Sequence, residues 1–306
     1  MITDLFRYAL FRSTCSASRF ALHDSNMLIT PMVLIALMHG GGHDMAQRGD
    51  GALLAVAHSH NDFEQRSPLF EAVRSGFPSV EADVWLRGGE IVVSHEPSFS
   101  RGRLEDLYLV PLQERVDRLG SVYGDRRPFY LWIDLKESRP ELTDALHALL
   151  ERYPMLTVFT DEAVVHGPVI VILTGDEEAK TRYTDGHRVR LACRDSNQLG
   201  RGDAAADQRW TWYALPWHEV VEGDERRAVV PYGRLRAIVD MVHQLGRRLR
   251  LYDVPERREA WTAALRAGVD LIGTDRIASF RSFLEISRPG ERQAGAAPAQ
   301  QMSAGP

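Results

Sequence analysis

The stretch that most constrains this chain runs from Leu54 to Pro97. It contains two apolar runs, Leu53–His58 and Ser79–Val84, separated by a helical pattern around Leu69–Val73 that Gly76 closes. Such a strand–helix–strand unit is the building block of parallel α/β sheets, because parallel strands need a crossover connection between them. Ionisable residues fall where the strands end: His58, then Glu81 and Asp83, then His95 beyond a Gly88–Gly89 turn. In α/β barrels the carboxyl ends of the strands build the active site. An enzyme is therefore the leading expectation.

The carboxylate pair narrows the chemistry. Alternate residues of a strand point to opposite faces, so Glu81 and Asp83 share one face while Val80, Ala82 and Val84 take the other. Two carboxylates side by side near a barrel lumen repel and lose solvation unless a cation or a proton compensates. A hard divalent ion, Mg²⁺ or Ca²⁺, suits oxygen ligands of this kind. The plain alternative is an exposed strand face carrying two solvated acids.

Composition excludes several classes. At 306 residues with 44% hydrophobic content, the chain can bury a full core, as one large α/β domain or two small ones. A net charge of −5 offers no basic field for nucleic acid, and nothing in the sequence indicates a protein partner. Cys15 and Cys193 are the only cysteines, so neither a disulfide framework nor a thiolate zinc site is expected. Lys136 and Lys180 are the only lysines in an otherwise Arg-based chain, which singles each of them out.

Residues 1–50 read as a leader apart from the fold. Met27–Met38 is an apolar run too short to span a membrane, with Arg7, Arg12 and Arg19 before it and small or polar residues after it. This is the pattern of a secretory signal with a long amino-terminal region, or of a true start at Met27. A packed amino-terminal helix is the alternative. Export to the cell envelope or beyond is expected on the first reading, and a cytoplasmic location otherwise.

From Leu53 strand and helix patterns alternate. Strands are predicted at Phe129–Lys136, Leu156–Phe159, Val169–Gly175, Val189–Cys193, Arg247–Val254 and Val269–Asp275. Helices are predicted from Pro111 through Arg118, and over Pro140–Arg152, Pro231–Leu245, Arg257–Ala267 and Ala278–Ile286. The aromatic stretch Ala204–Gly223, with Trp210, Trp212, Tyr213 and Trp217, reads either as a strand or as a loop over the site. About eight strands with interleaved helices suit a single (β/α)₈ TIM barrel over residues 51–288, followed by a disordered tail over 289–306. The rival doubly wound sheet wants a Gly-rich loop after its first strand, where this chain has His58-Ser59-His60-Asn61-Asp62.

Asp134 and Lys136 end the third convincing strand and share a face. A third carboxylate there completes an oxygen-ligand set with Glu81 and Asp83, and a neighbouring lysine suits a phosphate held against the cation. The alternative for Lys136 is an ordinary surface ion pair.

In this order and spacing the residues resemble the phospholipase C-like phosphodiesterase superfamily. The pattern is His58, Glu81-x-Asp83, His95, Asp134-x-Lys136, and Gly268–Arg276 near the end. That superfamily includes glycerophosphodiester phosphodiesterases, sphingomyelinase D-type enzymes and phosphatidylinositol phospholipases. His58–Phe63 together with Leu104–Leu112 is most similar to its altered inheritance of mitochondria protein 6-like group. The resemblance implies a barrel, Mg²⁺ or Ca²⁺ on Glu81, Asp83 and Asp134, and His58 and His95 as the acid–base pair. It also implies that Lys136 contacts the substrate phosphate. Glycerophosphodiesterases usually read His-Arg-Gly where this chain has His58-Ser59-His60, so an expected phosphate-binding Arg is missing; His60, Asn61 or Arg87 are its candidate substitutes. The substrate implied is a phosphodiester small molecule or a phospholipid, the latter met at a membrane surface.

Three other readings stand beside this one. A metal-free phospholipase C-like lyase would use the same histidines. A metal-dependent amidohydrolase is suggested by His58-x-His60 and Asp275, but it needs further histidines on later strands, and Val169–Gly175 and Val189–Asp195 carry none. A barrel whose site has decayed into a phosphate- or lipid-headgroup-binding module is the non-enzymatic reading. Asp253 and Asp275, also near strand ends, are secondary candidates.

Overall fold

The computed structural model describes residues 54–200, 202–221 and 230–287; the expected leader and tail lie outside the described residues. Eight parallel strands form the central sheet: β1 (Ala57–Ser59), β2 (Ser79–Arg87), β3 (Phe129–Leu135), β4 (Val169–Gly175), β5 (Ala192–Ser196), β6 (Trp210–Pro216), β7 (Arg248–Tyr252) and β8 (Leu271–Thr274). Each pairs in parallel with the next, and β1 pairs with β2 on one side (Ser59 opposite Val80) and β8 on the other (Ser59 opposite Thr274). The sheet is thereby closed into the expected barrel, and it has no free edge among these strands.

Helices cover the outside: α1 (Phe70–Arg74), α2 (Val110–Leu119), α3 (Pro140–Leu150), α4 (Glu177–Gly186), α5 (Trp217–Val220), α6 (Gly233–Gln244), α7 (Arg258–Ala267) and α8 (Ile277–Ile286). Proline in the first turn of α2 and α3 fits the positions where a helix has no use for a backbone N–H. No helix is present between β5 and β6 among the described residues. Before α2 the chain makes a π-helical turn, Glu105–Leu109. Beyond the barrel wall β2 continues into an antiparallel hairpin with Glu90–Val93, turning through Gly88 and Gly89, both at positive φ.

Two expectations change. Leu156–Phe159 is not a barrel strand; Val158–Phe159 forms a small hairpin with Val164–Val165 outside the wall. The nine residues between Phe159 and Val169 are too few for the crossover that two successive parallel strands require. The barrel position falls instead to the aromatic stretch, whose residues Trp210–Pro216 are β6 and pair with β5 and β7. The other strands lie within four residues of their predicted bounds.

β3 and β4 are almost wholly buried, as their apolar runs demand. In the lumen, Trp132, Ile172, Cys193, Trp212, Ala214 and Leu271 pack into one cluster with Tyr130. Above that cluster, toward the carboxyl ends, the inward residues change from apolar to charged.

Candidate active site

Register places the acids. Asp83 lies directly opposite Asp134 on the neighbouring strand, and Glu81 lies opposite Trp132 one inward position deeper. The three carboxylates have ligand oxygens within 4.8 Å of one another. They form the sole grouping of metal-ligand side chains of this kind among the described residues.

Each acid has a distinct environment. Glu81 is buried and accepts from Arg250 Nη2 at 2.6 Å. Burial opposes its charge, yet Arg250 and His60 prevail and hold its pKa well below the carboxylate range. Asp83 is raised to about 6, first by burial and then by the charges of Asp134 and Glu81. Asp134 keeps one oxygen, Oδ1, buried without a hydrogen-bond partner. That oxygen packs on Gly175, which has φ +87° and where a Cβ would collide with it. Lys136 bridges the pair, with Nζ 2.9 Å from Asp83 Oδ2 and 2.8 Å from Asp134 Oδ2. Its pKa is raised because the two carboxylates outweigh the desolvation of burial.

The donor set fits a hard divalent cation. All three ligands are carboxylate oxygens, their mutual repulsion is only partly relieved by Lys136, and the orphaned Asp134 Oδ1 is an acceptor with nothing to accept.

Three histidines surround the acids, in unequal positions. His58 is fully buried: Nδ1 shares a hydrogen bond with Ser79 Oγ at 2.7 Å, and its ring meets Trp132 edge-on at 5.8 Å. Its Nε2 lies 3.5 Å from Glu81 and has no hydrogen-bond partner. Burial, then the charge of Arg250, lowers its pKa to about 3, so the ring is neutral. His60 faces the mouth, stacked on Tyr252. Its Nδ1 donates to Asp275 Oδ1 at 3.0 Å, leaving Nε2 3.7 Å from Glu81. Burial opposes a charge on His60, but Glu81 and the bond to Asp275 raise its pKa. His95, the most exposed of the three, donates from Nδ1 to Asp83 Oδ2 at 3.0 Å. His60 and His95 thus flank the acids, each with a carboxylate on Nδ1.

The loop carrying Asp275 is pinned. Glu256 accepts from Asp275 N at 2.7 Å and from Thr274 Oγ1 at 2.8 Å, and Gln65 Nε2 donates to Asp275 O at 3.0 Å. Asn61 is in the left-handed region at φ 46°, which Asn tolerates, and its amide reaches Asp275 at 3.4 Å. Arg87 pairs with Glu137 at 3.3 Å, so neither side chain is committed to the acid cluster.

Sequence reasoning missed Arg250. It lies in β7, and an inward Arg within the apolar alternation of Arg248–Tyr252 was the available signal. It missed Ser79 and Trp132 as well, which fix His58. Lys180 is buried within the first turns of α4, with Nζ 2.6 Å from both Asp195 and Glu177. Asp253, just after β7, lies in the left-handed region at φ 52°. The further histidines that an amidohydrolase needs are not supplied by His187, which stacks on His147, or by His243, which pairs with Asp270.

A closed parallel barrel with acids, histidines and a lysine at its carboxyl ends is the architecture of phospholipase C-like phosphodiesterases. Residues 51–187 match the family described as the AIM6-like phosphodiesterase domain. The altered inheritance of mitochondria protein 6 of Eremothecium gossypii is 30% identical over 278 residues, covering 76% of this chain and 70% of that protein. Its Lachancea thermotolerans counterpart is 32% identical over 208 residues, covering 60% of this chain and 46% of that one. The chain belongs to the altered inheritance of mitochondria protein 6 family. It spans about half the length of several of the curated relatives it matches. Among solved structures, it is similar to an Oleispira antarctica phosphodiesterase in complex with sn-glycerol-3-phosphate, at 14% identity and a TM-score of 0.47 over 75% of this chain and 96% of that one.

Proposed function

We propose that the chain is a metal-dependent phosphodiesterase that cleaves a glycerophosphodiester or a phospholipid headgroup phosphodiester. The observation that carries this reading is the convergence of Glu81, Asp83 and Asp134 within 4.8 Å, flanked by His60 and His95. Glu81, Asp83 and Asp134 would hold Mg²⁺ or Ca²⁺, which when bound supplies positive charge to the non-bridging phosphate oxygens. Lys136 is placed to share that task, as an ammonium held at the edge of the cluster.

Cleavage also needs one group to take a proton from the nucleophile and another to give one to the leaving oxygen. The sequence pattern assigns these tasks to His58 and His95. The geometry favours His60 over His58 as one member of the pair. His58 is sealed beneath the mouth, while His60 presents Nε2 with Nδ1 anchored on Asp275. Asp275 and Asp83 would fix ring orientation and tautomer for the two outward histidines. His58, between Ser79 and Glu81, would then set the position of Glu81. The nucleophile in this scheme is water or a hydroxyl of the substrate itself.

The substrate arrives as a soluble phosphodiester or at a membrane surface, and export to the cell envelope remains part of the proposal. No helix among the described residues is long and apolar enough to cross a membrane.

The test is turnover of a panel of glycerophosphodiesters, lysophospholipids and sphingomyelin with Mg²⁺, with Ca²⁺ and with EDTA. Metal-dependent release of a headgroup or phosphomonoester is expected. It should fall on the order of 10²–10⁴-fold in His60→Ala and His95→Ala. A comparable loss in His58→Ala with its metal affinity intact would return the proton-transfer role to His58. Lys136 already balances two of the acids, which favours one second reading, a metal-free lyase; full activity in EDTA would establish it. Metal binding without turnover of anything would leave a headgroup-binding barrel.

A further inference from the structure

The barrel has a second opening, at the end opposite the acids. In barrels of this kind layers of side chains fill the amino end. Here the amino-terminal halves of β3 to β7 and the loops beneath them line a cavity of about 670 Å³, the size that holds a small organic ligand. Its floor is aromatic, formed by Tyr130, Phe159 and Trp212. Tyr130 meets Trp212 edge-on at 5.6 Å, and this contact fixes both rings.

The rim is cationic. Arg126, Arg127 and Arg248 border the cavity, and the carboxylate beside them, Asp125, is held by Arg127 at 2.6 Å. Arg248 donates to Tyr130 Oη at 2.6 Å and lies 5.5 Å from the Trp212 ring, with no ion-pair partner among the described residues. The wall also includes Ser121, whose buried Oγ has no hydrogen-bond partner. A second hollow of about 540 Å³ shares Arg127, Tyr130, Trp212 and Arg248, and it extends the same surface toward Ala55 and Leu271.

The geometry points to this amino-end cavity as a binding site for an amphipathic anion, with a carboxylate or phosphate head on Arg248 and Arg127 and an aromatic or acyl body on Tyr130, Phe159 and Trp212. Guanidinium groups match both heads in a planar, two-pronged fashion. An uncompensated Arg beside buried rings rewards a ligand that joins negative charge to apolar surface. Without a bound cation the three carboxylates of the mouth outnumber Lys136 and disfavour the same anion, so a titration in EDTA reads the amino-end site alone. The proposal stands without the phosphodiesterase reading.

The experiment is calorimetric titration of the full chain in EDTA with laurate and with dodecyl phosphate, each below its micellar concentration. Dodecanol and dodecyltrimethylammonium serve as neutral and cationic controls. One anion is expected to bind per chain, with at least tenfold preference over both controls. The tighter of the two anions identifies the head as carboxylate or phosphate. Arg248→Glu should weaken binding at least tenfold. Val164→Trp, which fills the space beside the floor and leaves every charge in place, should do the same. If Arg248→Glu does not fold, Val164→Trp decides. Equal binding of the controls, unchanged affinity in either folded variant, or no anion bound at millimolar concentration would each overturn the site.

Discussion

At the carboxyl end of the barrel, charged groups are buried and answer one another. Arg250 faces Glu81, Lys136 faces two aspartates, and each outward histidine leans on a carboxylate. At the amino end the guanidinium groups stand on a rim above aromatic rings, and most of their charge is left to solvent. Buried charges cost several kcal/mol when a partner is removed, whereas exposed ones cost little. The difference shows where the fold tolerates strain. A stable barrel has no need of three converging carboxylates, and their presence marks the end where chemistry has overridden packing.

The largest effect should come from Arg250→Met. It leaves Glu81 buried without its cation and should destabilise the fold by about 3–5 kcal/mol, measured by denaturant unfolding. A loss under about 1 kcal/mol would mean that Glu81 is hydrated or protonated, and the contrast between the two ends would fail.

Asp62 sharpens the same contrast through pH. It is buried and accepts from Ser59, Tyr108 and the Leu69 amide, but burial outweighs these bonds and raises its pKa to about 6. The folded-state value lies above the ordinary 3.8, so folding takes up a proton between about pH 4 and 6. The stability Asp62 contributes is complete below that window and is lost as pH rises through 6. Unfolding of the wild type relative to Asp62→Asn should show a difference on the order of a few kcal/mol falling across this window and flat above it. A difference independent of pH would place the Asp62 pKa at its ordinary value.

Gly175→Ala puts a Cβ against Asp134 Oδ1 and the Leu135 carbonyl at a residue with φ +87°. A loss of about 1–3 kcal/mol is expected, together with weaker Mg²⁺ affinity because Asp134 is displaced. Unchanged calorimetric affinity would remove Asp134 from the ligand set. Lys136→Met should lower the melting temperature of the metal-free protein, since Asp83 and Asp134 then face each other without a cation, and Mg²⁺ should restore it. A melting temperature indifferent to Mg²⁺ would argue against a cation site here. The smallest effect belongs to the amino end: Arg127→Ala breaks an exposed pair with Asp125 and should cost under about 1 kcal/mol.

The sequence was most informative where period and chemistry coincide. Glu81, Asp83 and Asp134 could be placed on one face because strand alternation is strict and each run is apolar around its acid. The barrel strand at Trp210–Pro216 was ambiguous, because alternating large aromatics look the same in a strand as in a covering loop. Leu156–Phe159 looked like a strand because its last two residues are one, but only the length of the connection after it tells that it lies outside the wall. The role of Arg250 depends on a contact spanning 169 positions of sequence, which no local pattern encodes. The unequal settings of His58 and His60 likewise come from Trp132 on β3 and Asp275 in the loop after β8, far away in sequence.

The connection between β5 and β6, which lacks a helix among the described residues, has a kinetic consequence. These two strands also share a register shift between Trp210 and Trp212, so their seam lacks both a crossover helix and an unbroken ladder. In native-state hydrogen exchange the amides of this seam should be the first of the barrel to open, well below the free energy of global unfolding. The barrel would then breathe along one defined stave, and a loop graft or split-protein junction is best placed there.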